Sequence, residues 1–206
     1  MTFRDDYLSA ARAVVDQIGR LPPESWGAPA LGDWSGRMLV GHLGSMMTSV
    51  VDACAHAAPS LDLERTAEYY ALRRRLDPAV YEAALAAVAE VHLADAAALG
   101  DDPVGVLQAQ FAAAIEALAG VTDDAIVTTP AGGMRLRDWL PTRTFELAVH
   151  GLDLEAATGV PVMLASDVLA AATTLAASTA AEVGDGRAVL LALTGRGELP
   201  GGYSAL

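Results

Sequence analysis

Between Arg143 and Leu154 the chain reads RTFELAVHGLDL, and its ionisable side chains recur at helical spacing. At about 100° per residue, Trp139, Arg143, Glu146, His150 and Asp153 fall on one narrow stripe of a helix. Phe145, Leu147, Ala148, Val149, Leu152 and Leu154 cover its flanks. One reading is a solvent face laced by Arg143–Glu146 and Glu146–His150 pairs, each worth a few tenths of a kcal/mol. The other is a ligand face, because a Glu-x-x-x-His pair projects a carboxylate and an imidazole from the same side of a helix. A second polar stripe, His42, Ser45, Ser49, Asp52 and His56, runs along an otherwise apolar segment. Gly41 and Gly44 beside His42 allow another helix to approach closely. Joined, His42, Glu146 and His150 form a His/Glu/His set, the donor type of catalytic zinc sites that keep a fourth position open. Spacing alone leaves both readings standing.

These stripes need helices to carry them, and the composition favours helix. The chain has 206 residues, about half of them apolar, with few aromatics; Ala is frequent, a strong helix former. Helical periodicity covers 3–19, with Tyr7, Ala11, Val14, Val15 and Ile18 on one side. Residues 19–34 read as a Gly/Pro loop. Asp33 or Ser35 can cap a long helix to about Ala57. Helices follow over 62–76, from Pro78 to about Leu99, and over 103–119. The sequence AIVTTPAGGMRLRDWL reads as a small hairpin. Asp138 then caps a helix that Thr158-Gly159 closes, with Pro141 expected in its first turn. A further helix covers 164–183, followed by a short helix and an extended end. The expectation is one helical bundle with a small hairpin.

Charge and cysteine content narrow the function classes. Thirteen basic against 26 acidic residues give −13, a charge that repels phosphate backbones, so nucleic acid is not an expected partner. Arg73–Arg75 reads as a solvated helix face. Cys54 is the single cysteine, which excludes an intrachain disulfide and suits a reducing compartment. No signal-peptide pattern and no uninterrupted apolar run of membrane-spanning length stand out, so a cytoplasmic protein without a membrane partner is expected. Cys54 lies off the His42 stripe and reads as a buried small residue, His56 as a helix-end residue and His92 as a structural histidine. Trp34 and Trp139 read as packing residues.

LGDWSGRMLVGHLG (Leu31–Gly44) and LRDWLPTRTFELAVHGLDLEAATG (Leu136–Gly159) resemble the two signatures of the mycothiol-dependent maleylpyruvate isomerase-like family, part of the DinB-like superfamily. LTGRGELPGGYSAL (Leu193–Leu206) is similar to its usual ending. The resemblance implies an all-α fold: a DinB-like four-helix bundle (up-down-down-up) with extra short helices, a small β-hairpin and a short C-terminal extension. The bundle would span residues 1–185, and 186–206 would pack on it. It implies a divalent metal, in the first instance zinc, on His42, Glu146 and His150, with Arg143 and Asp153 either orienting the ligands or forming structural ion pairs. It implies mycothiol as cosubstrate, its thiol activated by the metal for S-transfer to, or isomerisation of, an electrophilic small molecule. A non-catalytic metal- or ligand-binding protein acting through a partner or dimer, and a metal-dependent hydrolase, are the competing functions; monomer and homodimer both stay open. Two departures stand out. Gly36 occupies a position where a larger apolar residue is usual, a small change. The isomerase's larger C-terminal domain has no counterpart of that size, and neither Arg187 nor Arg196 matches its substrate-binding arginine.

Overall fold

The fold comes from a computed structural model, which describes residues 2–75 and 90–205; for 73–75 it describes the backbone alone. Four long helices form the frame: α1 (Phe3–Ile18), α2 (Gly36–Ala55), α5 (Pro103–Ala119) and α6 (Leu136–Thr158). Helix α1 lies against α6 and α5, and α2 lies against α5 and α6, while the diagonal pairs barely touch. The chain is therefore all-α in the manner of a DinB-like helical fold. Shorter helices are α3 (Thr66–Arg75), residues 90–98 (α4), α7 (Ser166–Glu182) and α8 (Gly186–Leu193). The start of the helix expected from Pro78 and the side chains of Arg73–Arg75 lie outside the described residues.

The apolar stripes read from the sequence are the core. Tyr7, Ala11, Val14 and Ile18 of α1 are buried with Leu39, Leu43 and Met47 of α2 and Leu140, Leu147 and Leu154 of α6. Helix α2 is long and apolar enough, by length and composition, to cross a membrane; here its apolar face fills the bundle. Buried Gln17 ties α1 to α6 by donating to the Gly151 and Val160 carbonyls at 3.0 and 2.9 Å. Arg4 fastens the start of α1 to the end of α5, reaching the Leu118 and Val121 carbonyls at 2.6 Å each.

Three local expectations change. The loop over 19–34 contains a 3-10 turn (Pro23–Trp26) and a second small hairpin, β1 (Pro29–Leu31) with β2 (Trp34–Ser35). Its tight turn follows from Gly32, at φ +54°. Ser35, rather than Asp33, caps α2 through the Met38 amide. Gly36 is not an incidental small residue: a Cβ there would stand 2.1 Å from the Ser25 carbonyl oxygen. Helix α6 begins at Leu136 with Arg135 at the cap, because strand β4 (Gly132–Arg135) runs straight into it. Asp138 is therefore a first-turn residue and Pro141 sits inside the helix, where it removes one backbone hydrogen bond.

The expected hairpin pairs β3 (Ile126–Thr129) with β4 in antiparallel register. Residues 56–63, taken as helix from 62 onward in the sequence reading, instead wrap both of its edges. The Thr128 amide donates to the His56 carbonyl at 2.9 Å, and the Asp62 amide donates to the Gly133 carbonyl at 2.8 Å. The paired edges are thus closed to other chains. The wrap ends at α3, which packs on α6 and α7.

Candidate metal centre

The polar stripe of α6 faces inward. Trp139 is fully buried and Arg143 is only 6 % exposed, because α6 is surrounded by α1, α2, α3 and α7. A helix enclosed on most sides has no solvent face to give its charged residues. The solvent-face reading therefore does not hold for α6. Helix α2 brings His42 to the same place, and two close approaches set its position. A Cβ on Gly41 would lie 2.7 Å from the Ala96 backbone nitrogen on α4, and one on Gly44 would lie 2.9 Å from Leu107 on α5. The two glycines do admit neighbouring helices.

His42, Glu146 and His150 each turn one ligand atom to a common point, all within 4.8 Å of one another. Glu146 Oε2 stands 3.2 Å from His150 Nε2 and 3.6 Å from His42 Nε2. Two ligand atoms on one tetrahedral zinc stand about 3.3 Å apart, given bonds near 2.0–2.1 Å. The other end of each α6 ligand is held. The His150 Nδ1 side meets Asp153 Oδ2 at 2.8 Å. The buried Tyr70 hydroxyl of α3 donates to Glu146 Oε1 at 2.8 Å, with the Thr142 carbonyl 3.1 Å away. The free Oε2 of Glu146 and Nε2 of His150 are thus left for a shared guest. The side chains of His42, Glu146 and His150 are 13, 17 and 17 % exposed, so the cluster is largely buried among the described residues.

The residues fit a divalent cation on one direct test. Both ring nitrogens of His42 are buried and neither has a hydrogen-bond partner among the described residues. A buried imidazole with nothing to bond is costly, and a metal on Nε2 removes half of that deficit. A set of two imidazoles and one carboxylate suits zinc and related divalent ions. The electrostatics agree with an anionic ligand cluster. Burial would raise the Glu146 pKa, but His150, His42 and the Arg143 charge outweigh it and hold the carboxylate well below its usual range. Burial likewise pulls His150 down, and Glu146 and Asp153 more than reverse it.

Arg143 forms no ion pair with Glu146. Its guanidinium lies 5.4 Å from the Tyr69 ring centre and 5.3 Å from that of Trp139. It donates to the Tyr69 hydroxyl at 3.2 Å and contacts Met46 Sδ at 3.4 Å. Asp153 orients His150 directly, whereas Arg143 reaches Glu146 only through its field.

Three residues sit closer to the site than the sequence suggests. His92, on α4, has its ring 4.7 Å from that of His42. Burial and the two neighbouring imidazoles push its pKa down to about 4, so it is a neutral ring at physiological pH. Trp34 is no simple packing residue: its ring lies 4.1 Å from His92 and 5.4 Å from His42, at the edge of the cluster. Tyr70, on α3, is the donor to Glu146. A short polar pattern could have flagged one of them: VHLAD (Val91–Asp95) repeats the V-H-x-x-D of VHGLD (Val149–Asp153). Cys54 is half-buried against the core with its thiol pKa raised by burial. His56 is exposed at the end of α2, its Nδ1 2.8 Å from the Asp52 carbonyl oxygen.

Comparison with known proteins identifies the scaffold. Neither the curated proteins nor the solved structures gave a match. The family described as mycothiol maleylpyruvate isomerase N-terminal domain matches residues 7–155, which include most of α1, all of α2 and α5, all three members of the cluster and nearly all of α6. With that match over well more than half of its length, the chain belongs to the mycothiol maleylpyruvate isomerase N-terminal domain family.

Proposed function

We propose that this chain is a metal-dependent enzyme that activates a small-molecule thiol, mycothiol, for S-transfer to, or isomerisation of, an electrophilic small molecule. The observation that carries the reading is the meeting of His42 Nε2, Glu146 Oε2 and His150 Nε2 around an otherwise unpartnered imidazole. Zinc is the ion the donor set suits best, and when bound it would lower the pKa of a coordinating thiol so that the nucleophilic thiolate persists at neutral pH.

The residues around that point supply the rest. Asp153 fixes the His150 ring by occupying its Nδ1 side. Tyr70, whose pKa burial and Glu146 raise well above the usual tyrosine range, stays protonated and holds Glu146 Oε1. Arg143, buried on the same stripe, adds its charge to the His150 and His42 contacts that hold the Glu146 pKa well below its usual range. Trp34 and neutral His92 stack edge to face beside His42, aromatic surroundings that suit a small organic substrate. Three protein ligands leave room for one exogenous ligand, the arrangement of catalytic rather than structural zinc sites. The 186–206 extension is proposed to pack on the bundle as part of the same domain, α8 meeting α7. A cytoplasmic location accords with a thiol cosubstrate and a lone, half-buried cysteine.

Metal analysis of the purified protein and of His150→Ala tests the ligand set, with near-stoichiometric metal expected in the first and little in the second. Metal-loaded protein mixed with mycothiol and a panel of electrophiles should consume thiol above background. Full metal occupancy with no thiol consumption would overturn the enzymatic reading and leave a binding protein. Turnover of an ester or amide by water alone would point to a hydrolase instead.

A further inference from the structure

The two histidines of the cluster are held differently. His150 has Asp153 on its Nδ1 side at 2.8 Å. His42 Nε2 faces Glu146 Oε2 at 3.6 Å, and its Nδ1 has no hydrogen-bond partner among the described residues. Metal-bound histidines almost always donate the second ring N–H to a carboxylate, a carbonyl or water, which fixes the tautomer and raises ligand basicity. The site as a metal centre thus lacks an acceptor for His42, and the α4 segment presents one. The Asp95 backbone presses on Gly41, whose added Cβ would lie 2.8 Å from the Asp95 carbonyl carbon. Asp95 Oδ2 is buried and has no hydrogen-bond partner among the described residues. The His42 imidazole acts electrostatically on this carboxyl, to which the Ser45 side chain donates a hydrogen bond. A buried carboxylate oxygen without a donor is as costly as an imidazole nitrogen without an acceptor. Here the two deficits fall on helices that meet at Gly41, the residue before His42.

We propose that Asp95 is the positioning residue for His42, accepting the Nδ1–H hydrogen bond when Nε2 carries the metal. The inference rests on the metal-centre reading and deepens it. Each imidazole would then carry one aspartate: Asp153 three residues along the same helix for His150, and Asp95 from the facing helix for His42. The backbone contact at Gly41 gives the pairing its register, since any side chain there would move α4 and Asp95 with it.

His92 is the competing donor, because it sits one turn before Asp95 and its Nδ1 is also without a partner. The experiment therefore reads the rings individually. The chain has four histidines, so long-range ¹H–¹⁵N spectra of the zinc-loaded protein resolve each ring. Asp95→Asn should move the Nδ1 resonance of His42, lower zinc affinity about 10- to 100-fold, and leave the metal-free melting temperature unchanged or raised. Asp95→Ala should do the same, which excludes an effect peculiar to the amide. Unchanged affinity and an unchanged His42 signal in both variants would overturn the proposal, as would a shift confined to His92. A fall in the metal-free melting temperature without loss of affinity would make Asp95 merely structural. If the wild-type protein binds no zinc, it is the metal-centre reading that fails, a result separate from any of these.

Discussion

At the residue scale, function depends on which end of each side chain is spoken for. Tyr70 is the clearest case. Its hydroxyl occupies Glu146 Oε1 and so decides that Oε2 is the atom left for a ligand. Tyr70→Phe deletes that donor within a buried site. We expect a loss of about 1–3 kcal/mol in metal-free stability from the unsatisfied carboxylate oxygen. Metal affinity should fall roughly 10- to 100-fold, as for other groups that orient a ligand. Chemical denaturation and a zinc titration measure the two effects. An unchanged affinity would mean that Glu146 keeps its orientation from the imidazoles alone.

At the element scale, glycines and one aspartate fix how the segments meet. Gly41→Ala places a methyl against the α4 backbone at 2.7–2.9 Å, and backbone cannot turn aside as a side chain can. The expected loss is about 1–3 kcal/mol, accompanied by weaker metal binding because His42 is the next residue. Denaturation curves and a zinc titration of the variant check both effects, and Gly27→Ala, where a Cβ meets nothing within 4 Å, is the control. Asp62 fastens the wrapping segment to the β3–β4 hairpin by accepting from the Gly133 amide at 2.7 Å. That hydrogen bond, with a second from Ser60, lowers its pKa below the usual 3.8. The folded state therefore binds this proton less readily than the unfolded chain. The stabilisation is complete above pH 3.8 and is lost as pH falls through the lowered value. Asp62→Asn should reduce stability at neutral pH and flatten the acid limb below that pH, as read by denaturant midpoints across a pH series.

At the scale of the whole molecule, a bound metal would join α2 to α6 across the bundle. It stabilises the folded state by about 2.7 kcal/mol when present at 100 times its dissociation constant. For a chain of this length each kcal/mol raises the melting temperature by roughly 2–4 °C. Zinc should therefore raise it by about 5–10 °C, and a chelator should reverse the shift. His42→Ala should abolish the shift while retaining the helical circular dichroism signal. An equal shift in that variant would place the metal elsewhere. Helix α8 is different in kind: none of its residues is buried and Leu190 and Leu193 are exposed, so it adds little to the core.

The sequence alone determined the helices, because periodicity of apolar residues survives any neighbour. It also marked the two polar stripes and, through two extended motifs, the family and the three side chains that meet in the structure. What it could not determine was the direction in which the α6 stripe points. Solvent and ligand faces have the same spacing, and only the enclosure of α6 by four other helices separates them. Nor could it find Tyr70 on α3, and for His92 and Asp95 on α4 it offered only the repeated V-H-x-x-D pattern, without their relation to His42. Their relation to the site is a contact between helices, fixed by close approaches such as Gly41 against Ala96. The start of α6 was decided the same way: Asp138 is a good cap by type, but β4 delivers the chain into the helix three residues earlier. Local chemistry sets which elements form, and packing sets what each one faces.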